Sequence, residues 1–297
     1  MQQIAIYGRF LKPKDIEYIE AVFSILLEHQ IICLVHKPFL THLKGELPDL
    51  VKDVHPFSDY TSLKTAKPDL LLSLGGDGTI LDTLALVQDS NIPIAGINLG
   101  RLGFLTGIDK NKIKDSLEAL IEGKYKLDTR SVLHLESNHP IEKLQACPYA
   151  LNDCTLAKRD SSSMIIVHAY KNGEFLNSYW ADGLIIATPT GSTGYSLSCG
   201  GPIIFPDSGN FVITPIAPHN LTVRPMVLSD DATLSFEIEG RDVNYLCTLD
   251  SRSALIPQGI RLTVKKADFQ VHLVRLTDSD FLSTLRGKLG WGSDSRN

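Results

Sequence analysis

The chain has 297 residues, 43% of them hydrophobic, with a net charge of −5 and a pI near 6.0. That is enough apolar side chain for a large core or two domains, and with no Lys/Arg block it excludes nucleic-acid binding through a broad basic face. No apolar run exceeds strand length, so no membrane span is expected, and Met1-Gln2-Gln3 leads into the first strand without a signal-peptide pattern. The five cysteines, at 33, 147, 154, 199 and 247, form no CxxC pair. They read as reduced thiols of a cytoplasmic protein. The nine histidines contain no HExxH or comparable cluster, so no metal site built from protein ligands alone is expected.

In chain order, Ile4–Tyr7 reads as an opening strand followed at once by Gly8-Arg9, and apolar spacing predicts a helix from Asp15 to His29. A second strand is predicted at Ile31–Val35. The stretch from Lys37 to Lys67 is polar and punctuated. Asp69–Leu74 is a buried strand that runs into Gly75-Gly76-Asp77-Gly78-Thr79, and Ile80, Leu81, Leu84 and Val87 continue in helical spacing. Another strand, Ile92–Ile97, ends in the second glycine turn, Asn98–Leu105, and a helix is predicted over Ile113–Ile121. Strand alternating with helix in this rhythm predicts an open, doubly wound α/β sheet with ligands beyond the carboxyl ends of its strands.

The Gly75–Thr79 turn carries the clearest chemistry. Where a strand ends and a helix begins, backbone N–H groups and the helix dipole suit phosphate oxygens, and glycine lets the backbone come close. A carboxylate there needs a reason, since it repels phosphate. Asp77 could hold a metal, take a proton during phosphoryl transfer, or cap the helix as an N-cap.

After Asp128 the pattern changes to short β-type runs, among them Ser131–Leu135, Met164–Tyr170, Gly183–Ala187, Phe211–Pro215, Ala232–Glu237 and Arg261–Val264. They predict a mostly antiparallel β domain over 129–276, beside an α/β domain over 1–128. The tail, Phe281–Trp291, reads as a helix that returns to the first domain, which assigns 277–297 to it. Asn152-Asp153 could accept from sugar hydroxyls, or could simply form a turn. Thr188–Ser198 places seven hydroxyls and two glycines in eleven residues just past a strand, and Gly200-Gly201-Pro202 extends it. Tyr195 adds an aromatic face. His219 reads equally as a ligand contact or a structural histidine, and Asp250-Ser251-Arg252 as a hairpin turn. There is no GxSxG elbow, no Walker A Lys-Ser/Thr and no GxGxxG fingerprint.

Together, Leu74–Thr79, Asn98–Leu105, Asn152-Asp153, the block from Asp182-Gly183 to Gly201-Pro202, Pro218-His219 and Leu285–Trp291 resemble the bacterial NAD kinase family over nearly the whole chain. GGDGT alone is shared with lipid kinases and phosphofructokinases. The long Thr/Ser block is specific. The resemblance implies a two-domain kinase that moves the γ-phosphoryl of ATP to the 2′-hydroxyl of the adenosine ribose of NAD, with Mg²⁺ or Mn²⁺ carried by ATP. It implies Asp77 as the general base and Gly75, Gly76, Gly78 and Thr79 around the donor phosphates. Asn152 and Asp153 would hold the ribose diol, with Asp77 and Gly78 also near the dinucleotide. Asp182, Thr193, Tyr195 and Ser196 would bind the rest of it, and Phe104 would touch a ring. Ser163, Trp180, Thr190, Gly194, Ser198, His219 and Arg252 complete the implied NAD contacts. It further implies a homo-oligomer, dimer or tetramer, in the cytoplasm, with neither nucleic acid nor membrane as partner. Four positions depart from the family pattern: Asp153 for Glu, Gly194 for a common alanine, Trp180 for a basic residue in some members, and Arg252 for glutamine. The competing readings are a lipid or other hydroxyl kinase and a non-catalytic NAD sensor.

Overall fold

The computed structural model describes residues 1–100, 103–159, 164–276 and 280–291. Contacts divide them into two units: Met1–Asp128 with the described residues from Val271 onward, and Thr129–Gln270. Among the described residues no helix is long and apolar enough to cross a membrane.

In the first unit the elements are β1 (Gln3–Gly8), α1 (Ile16–Glu28), β2 (Ile32–His36), α2 (Lys37–Glu46), β3 (His55–Phe57), α3 (Tyr60–Ala66), β4 (Leu70–Gly75), α4 (Asp77–Val87), β5 (Ile94–Asn98), β6 (Ile108–Asp109) and α5 (Ile113–Ile121). The strands form a parallel sheet in the order β3-β2-β1-β4-β5. β4 lies in its middle with five consecutive buried residues, which is why its sequence is a continuous apolar run rather than an alternation. Helix α1 buries Ile19, Val22, Phe23 and Leu26, one stripe at helical spacing, and packs on α5; α3 packs on α4. The chain winds from β1 toward β3, then crosses back to place β4 on the other side of β1. Between β1 and β4, therefore, lies the switch point where open α/β sheets bind ligands.

The stretch Lys37–Lys67, read as merely polar, holds α2, β3 and α3. Helix α2 buries only Phe39, Leu40 and Leu43, and β3 has three residues, so each carries too little apolar pattern to stand out. Tertiary burial supplies what local pattern lacks.

In the second unit β7 (Tyr125–Ser137) and β18 (Arg261–Leu276) run through the unit boundary. Between them come α6 (Glu142–Gln145), β8 (Tyr149–Ala150), β9 (Asp153–Ala157), β10 (Ile165–Lys171), β11 (Glu174–Ala181), β12 (Gly183–Ala187), α7 (Tyr195–Ser198), β13 (Asn210–Ile216), β14 (Met226–Ser229), β15 (Leu234–Glu239), β16 (Asn244–Leu249) and β17 (Arg252–Pro257). One antiparallel sheet has the order β14-β13-β12-β9-β16-β17, and a second runs β11-β10-β15-β18. Tyr179, Phe211, Phe236 and Tyr245 lie in its core. The expected α/β sheet plus mostly β domain is the architecture found. At the end of β18, Leu273 pairs in parallel with Ile94 of β5, within the first unit. The closing helix α8 (Phe281–Leu289) has a capping box between Asp280 and Ser283, buries Leu285, and brings the Phe281 ring to 6.5 Å from that of Phe104.

Candidate active site

Helix α4 begins immediately after β4, with Gly76 as its N-cap residue and Asp77 as its first residue. Thr79 closes the turn by accepting from the Gly76 N–H at 3.3 Å. A Cβ on Gly75 would stand 2.2 Å from Thr79 Oγ1, so only glycine fits this close approach.

The Asp77 carboxylate reaches across to the second glycine turn. Its Oδ2 accepts from Phe104 N at 2.7 Å, and its Oδ1 from Leu105 N at 3.1 Å, Thr106 N at 3.1 Å and Thr106 Oγ1 at 3.3 Å. Gly103 backs this cradle closely: a Cβ there would lie 1.7 Å from Asp77 Oδ1. A carboxylate oxygen accepts along about two lone-pair directions. Oδ1 is therefore fully engaged, while Oδ2 keeps one acceptor position.

Beside this turn, at the carboxyl ends of β1, β4 and β5, lies a cavity of about 420 Å³ lined by Gly75, Gly76 and Thr79 and by Arg9, Lys12 and Lys14. Arg9 is held in place. Its guanidinium donates to Gly78 O at 3.0 Å and to both carboxylate oxygens of Asp82, and Tyr7 Oη donates to Asp82 Oδ2 at 3.1 Å. Burial first, then the charge of Asp82, pushes the Tyr7 phenol well above its ordinary value, so it stays a donor. Asn98 also lines the cavity, almost fully buried; its Oδ1 accepts from Gly100 N at 2.8 Å, and its Nδ2 donates to no group among the described residues. Arg9, Lys12 and Lys14 were not among the sequence candidates, and Asn98 entered only as the first residue of the second glycine turn. Of the three cations, Arg9 alone left a signal, its place directly after the first strand.

Phe104, expected to touch a ligand ring, is held by its backbone: its N–H meets Asp77, and its carbonyl accepts from Arg275 Nη2 at 2.8 Å.

In the second unit the turn into β9 carries Asn152 and Asp153. Thr188 ties it to the loop after β12, its N–H donating to Asn152 O at 2.8 Å and its hydroxyl to Leu151 O at 2.5 Å. A Cβ on Gly191 would sit 2.1 Å from Asn152 O, and one on Gly194 would lie 3.6 Å from Asn152 Nδ2. The Asn152–Asp153 turn and the Thr/Ser loop are thus one structure. Asn152 Oδ1 is buried and accepts from no group among the described residues, although such an acceptor costs about 1–3 kcal/mol. That cost suits an atom held for a ligand hydroxyl.

The implied contacts separate by position. Thr193 and Ser198 remain at least partly accessible, and the Tyr195 side chain is exposed. Ser196 is fully buried, and its hydroxyl is paired with Thr214 Oγ1 at 2.8 Å. Thr190 is buried and accepts from Arg130 Nη1 at 3.1 Å. The Arg252 guanidinium donates to the carbonyls of Cys147 and Tyr149, clamping the segment before Asn152. Strand pairing sets Ala187 opposite Asp153 and Gly183 opposite Ala157, so Asp182 stands at the other end of β12 from the Asn152–Asp153 turn. There Asp182 pairs with Lys158 at 2.6 Å, and His219 N donates to Trp180 O at 2.8 Å. Tyr195 relates the two ends: its phenol is pushed up by burial and by the charges of Cys199, Asp153 and Asp182. Ser163 lies outside the described residues.

Two carboxyls in this unit are shifted upward. Burial, followed by the charge of Asp250, pushes Asp153 up to about 7, against the Thr155 hydroxyl that donates to it at 2.9 Å. Burial pushes Asp250 up to about 6, against three backbone N–H donors and Arg252. A carboxyl raised in the fold binds its proton more tightly there than in the unfolded chain. Its contribution is therefore most favourable at low pH and declines as pH rises toward the folded value. Relative to Asp153→Asn, which can still accept from Thr155, the wild-type unfolding free energy should fall by about 2–3 kcal/mol between pH 5 and pH 7.5. Denaturant titrations of both proteins at the two pH values check this.

The ATP-NAD kinase N-terminal domain family model matches residues 4–125, and the ATP-NAD kinase C-terminal domain model matches residues 151–276. The chain belongs to the NAD kinase family. Its similarity to the NAD kinase of Cytophaga hutchinsonii is 49% identity over 294 residues, covering 99% of each chain. Among NAD kinase family folds of known structure, it superposes on yeast NADH kinase complexed with NADH with a TM-score of 0.85 at 24% identity, covering 99% of this chain and 89% of that one. The corresponding values for an NAD kinase from Archaeoglobus fulgidus in complex with ATP are a TM-score of 0.74 and 23% identity, over 97% and 99% of the two chains. Those two likenesses establish the fold.

Proposed function

We propose that the chain is an NAD kinase that transfers the γ-phosphoryl of ATP to the 2′-hydroxyl of the adenosine ribose of NAD, with Asp77 as the general base. The observation that carries this reading is the Asp77 carboxylate, aimed by four donors of the 104–106 loop with one acceptor position open on Oδ2, in a turn whose Gly75, Gly76 and Thr79 line a cavity together with three cations and one acid, Asp15. A secondary hydroxyl is a poor nucleophile. As O2′ attacks the γ-phosphorus, Oδ2 takes its proton and ADP leaves, and such assistance is worth roughly 10²- to 10⁴-fold.

The donor is MgATP or MnATP, the metal riding on its phosphate oxygens as substrate. The glycine turn at Gly75, Gly76 and Gly78 lets the phosphates approach the N-terminal end of α4, while Arg9 neutralises charge at the cavity lip. Arg9→Ala is expected to raise KM for ATP about tenfold, as loss of a charge-assisted hydrogen bond predicts, with KM for NAD little changed. Steady-state kinetics with each substrate varied in turn checks the split.

The β-rich unit is the dinucleotide-binding domain in this reading. Asn152 and Asp153 hold the adenosine ribose diol; Tyr195, Thr193, Ser198 and Asp182 line the path of the remainder, and Trp180 and His219 flank it. Ser196, Thr190, Gly194 and Arg252 act by shaping this surface. The enzyme works as a homo-oligomer in the cytoplasm; exposed Phe175 and Trp180 on the outer strand β11 favour a second copy, and light scattering measures the state.

The test of the function is a coupled assay for NADP formed from NAD, ATP and magnesium, run beside diacylglycerol as acceptor. NADP formation is the expected result. Lipid phosphorylation without NADP, or dinucleotide binding without turnover, would overturn the proposal in favour of a lipid kinase or a sensor.

A further inference from the structure

Asp250 is the first residue of the two-residue loop between β16 and β17, in the left-handed region at φ 52°. Its side chain points inward. Oδ2 accepts from Leu151 N at 2.8 Å, and Oδ1 accepts from Asn152 N at 2.7 Å and Asp153 N at 3.1 Å. Its own N–H donates to Asp153 O at 3.0 Å. One residue of a hairpin tip thus holds the backbone of three successive residues, two of which are placed at the acceptor ribose. A carboxylate serving three N–H donors is used as an anion, with both oxygens accepting.

Asp153 is the other acid of the pair, and it is buried. Its Oδ1 accepts from Thr155 Oγ1. Among the described residues, the charged and titratable groups that bear on the two acids include Arg252 on the hairpin, Tyr195 on α7, Cys147 in the segment before β8, and Cys154 with its neighbour Cys247. Two buried carboxyls in one another's field do not ionise independently; the one that serves three N–H donors, Asp250, loses its proton first, at about 6, and Asp153 keeps its proton to higher pH.

We propose that Asp250 is a positioning residue for the acceptor: it fixes the Asn152–Asp153 turn and keeps a proton on Asp153, so that Asp153 donates to a ribose oxygen and NAD binding is proton-linked. This rests on the proposed placement of the ribose at Asn152 and Asp153. Burial and the Asp250 charge put the titration of Asp153 at about 7.

The experiment is calorimetric NAD binding to the full chain from pH 5.5 to 8.5, a window in which NAD itself does not titrate. Wild type should bind with constant affinity on the acid side, and Kd should rise about tenfold per unit above an inflection near pH 7. Asp250→Asn removes the repelling charge and should move that inflection down by roughly one unit. Thr155→Val removes the donor that favours the anion and should move it up, an opposite shift that a general loss of packing does not produce. It also serves if Asp250→Asn fails to fold. A flat wild-type profile, or an Asp250→Asn protein that binds more weakly with its inflection unmoved, would overturn the proposal. If NADP is formed while binding is flat, the kinase reading stands and only this inference fails. Absence of NAD binding at every pH would sink both.

Discussion

Asp77→Asn lowers kcat by about 10²- to 10⁴-fold while NAD still binds. The range is that of general-base assistance to a hydroxyl nucleophile. An asparagine placed in the same cradle can keep its Oδ1 toward Leu105 N, Thr106 N and the Thr106 hydroxyl, the three donors now on that oxygen. Its Nδ2 then faces the Phe104 N–H, donor against donor, where Oδ2 now accepts at 2.7 Å. The variant therefore loses the proton acceptor and one cradle bond, and the loop loosens by about 1–3 kcal/mol. Rapid-quench turnover and NAD calorimetry on one preparation separate chemistry from binding. A near wild-type kcat would remove Asp77 as the base.

Gly103→Ala produces a loss of similar size without removing a polar atom. The new methyl would stand 1.7 Å from Asp77 Oδ1 and 2.2 Å from its Cγ, an overlap that cannot be relieved while the carboxylate stays in its cradle. Either the carboxylate turns away or the 103–106 loop retreats, and both break several of the four hydrogen bonds that aim Oδ2. Turnover should fall by about 10²-fold or more, as for other misplacements of a reacting group. Because the two residues act as one unit, the double variant Asp77→Asn/Gly103→Ala should be little slower than either single one. Additive losses would show that Gly103 matters for some other reason. Thermal unfolding controls for collapse of the fold.

The parts of the fold legible in the sequence are those with strong local pattern. Strand β4 and the glycine turn after it, helix α1, and α5 at its exact limits follow from apolar spacing and punctuation. Weakly patterned pieces were lost: α2 buries three side chains, and β11 buries two of its eight residues. The site divides the same way. Asp77, Asn152, Asp153 and the Thr/Ser loop stand out because glycines and polar residues at strand ends have few structural reasons to gather there. Lys12 and Lys14 do not, and Asn98 and Asp250 were legible only as turn residues, since each is an ordinary residue type in a loop or at a strand end. Only the register of distant strands makes them neighbours of the cavity beside the Gly75–Thr79 turn or of the Asn152–Asp153 turn.

What the sequence determined by itself is the class of chemistry and the two kinds of domain, because residue type and local period encode them directly. What only the tertiary structure decided is the aim of each group. The Asp77 carboxylate is held by residues 27 to 29 positions away, and the Asn152–Asp153 turn by a carboxylate 97 to 99 positions away. Hydrogen bonds of that span exist only once sheet pairing has offset the entropy of closing the intervening chain. No local pattern contains them.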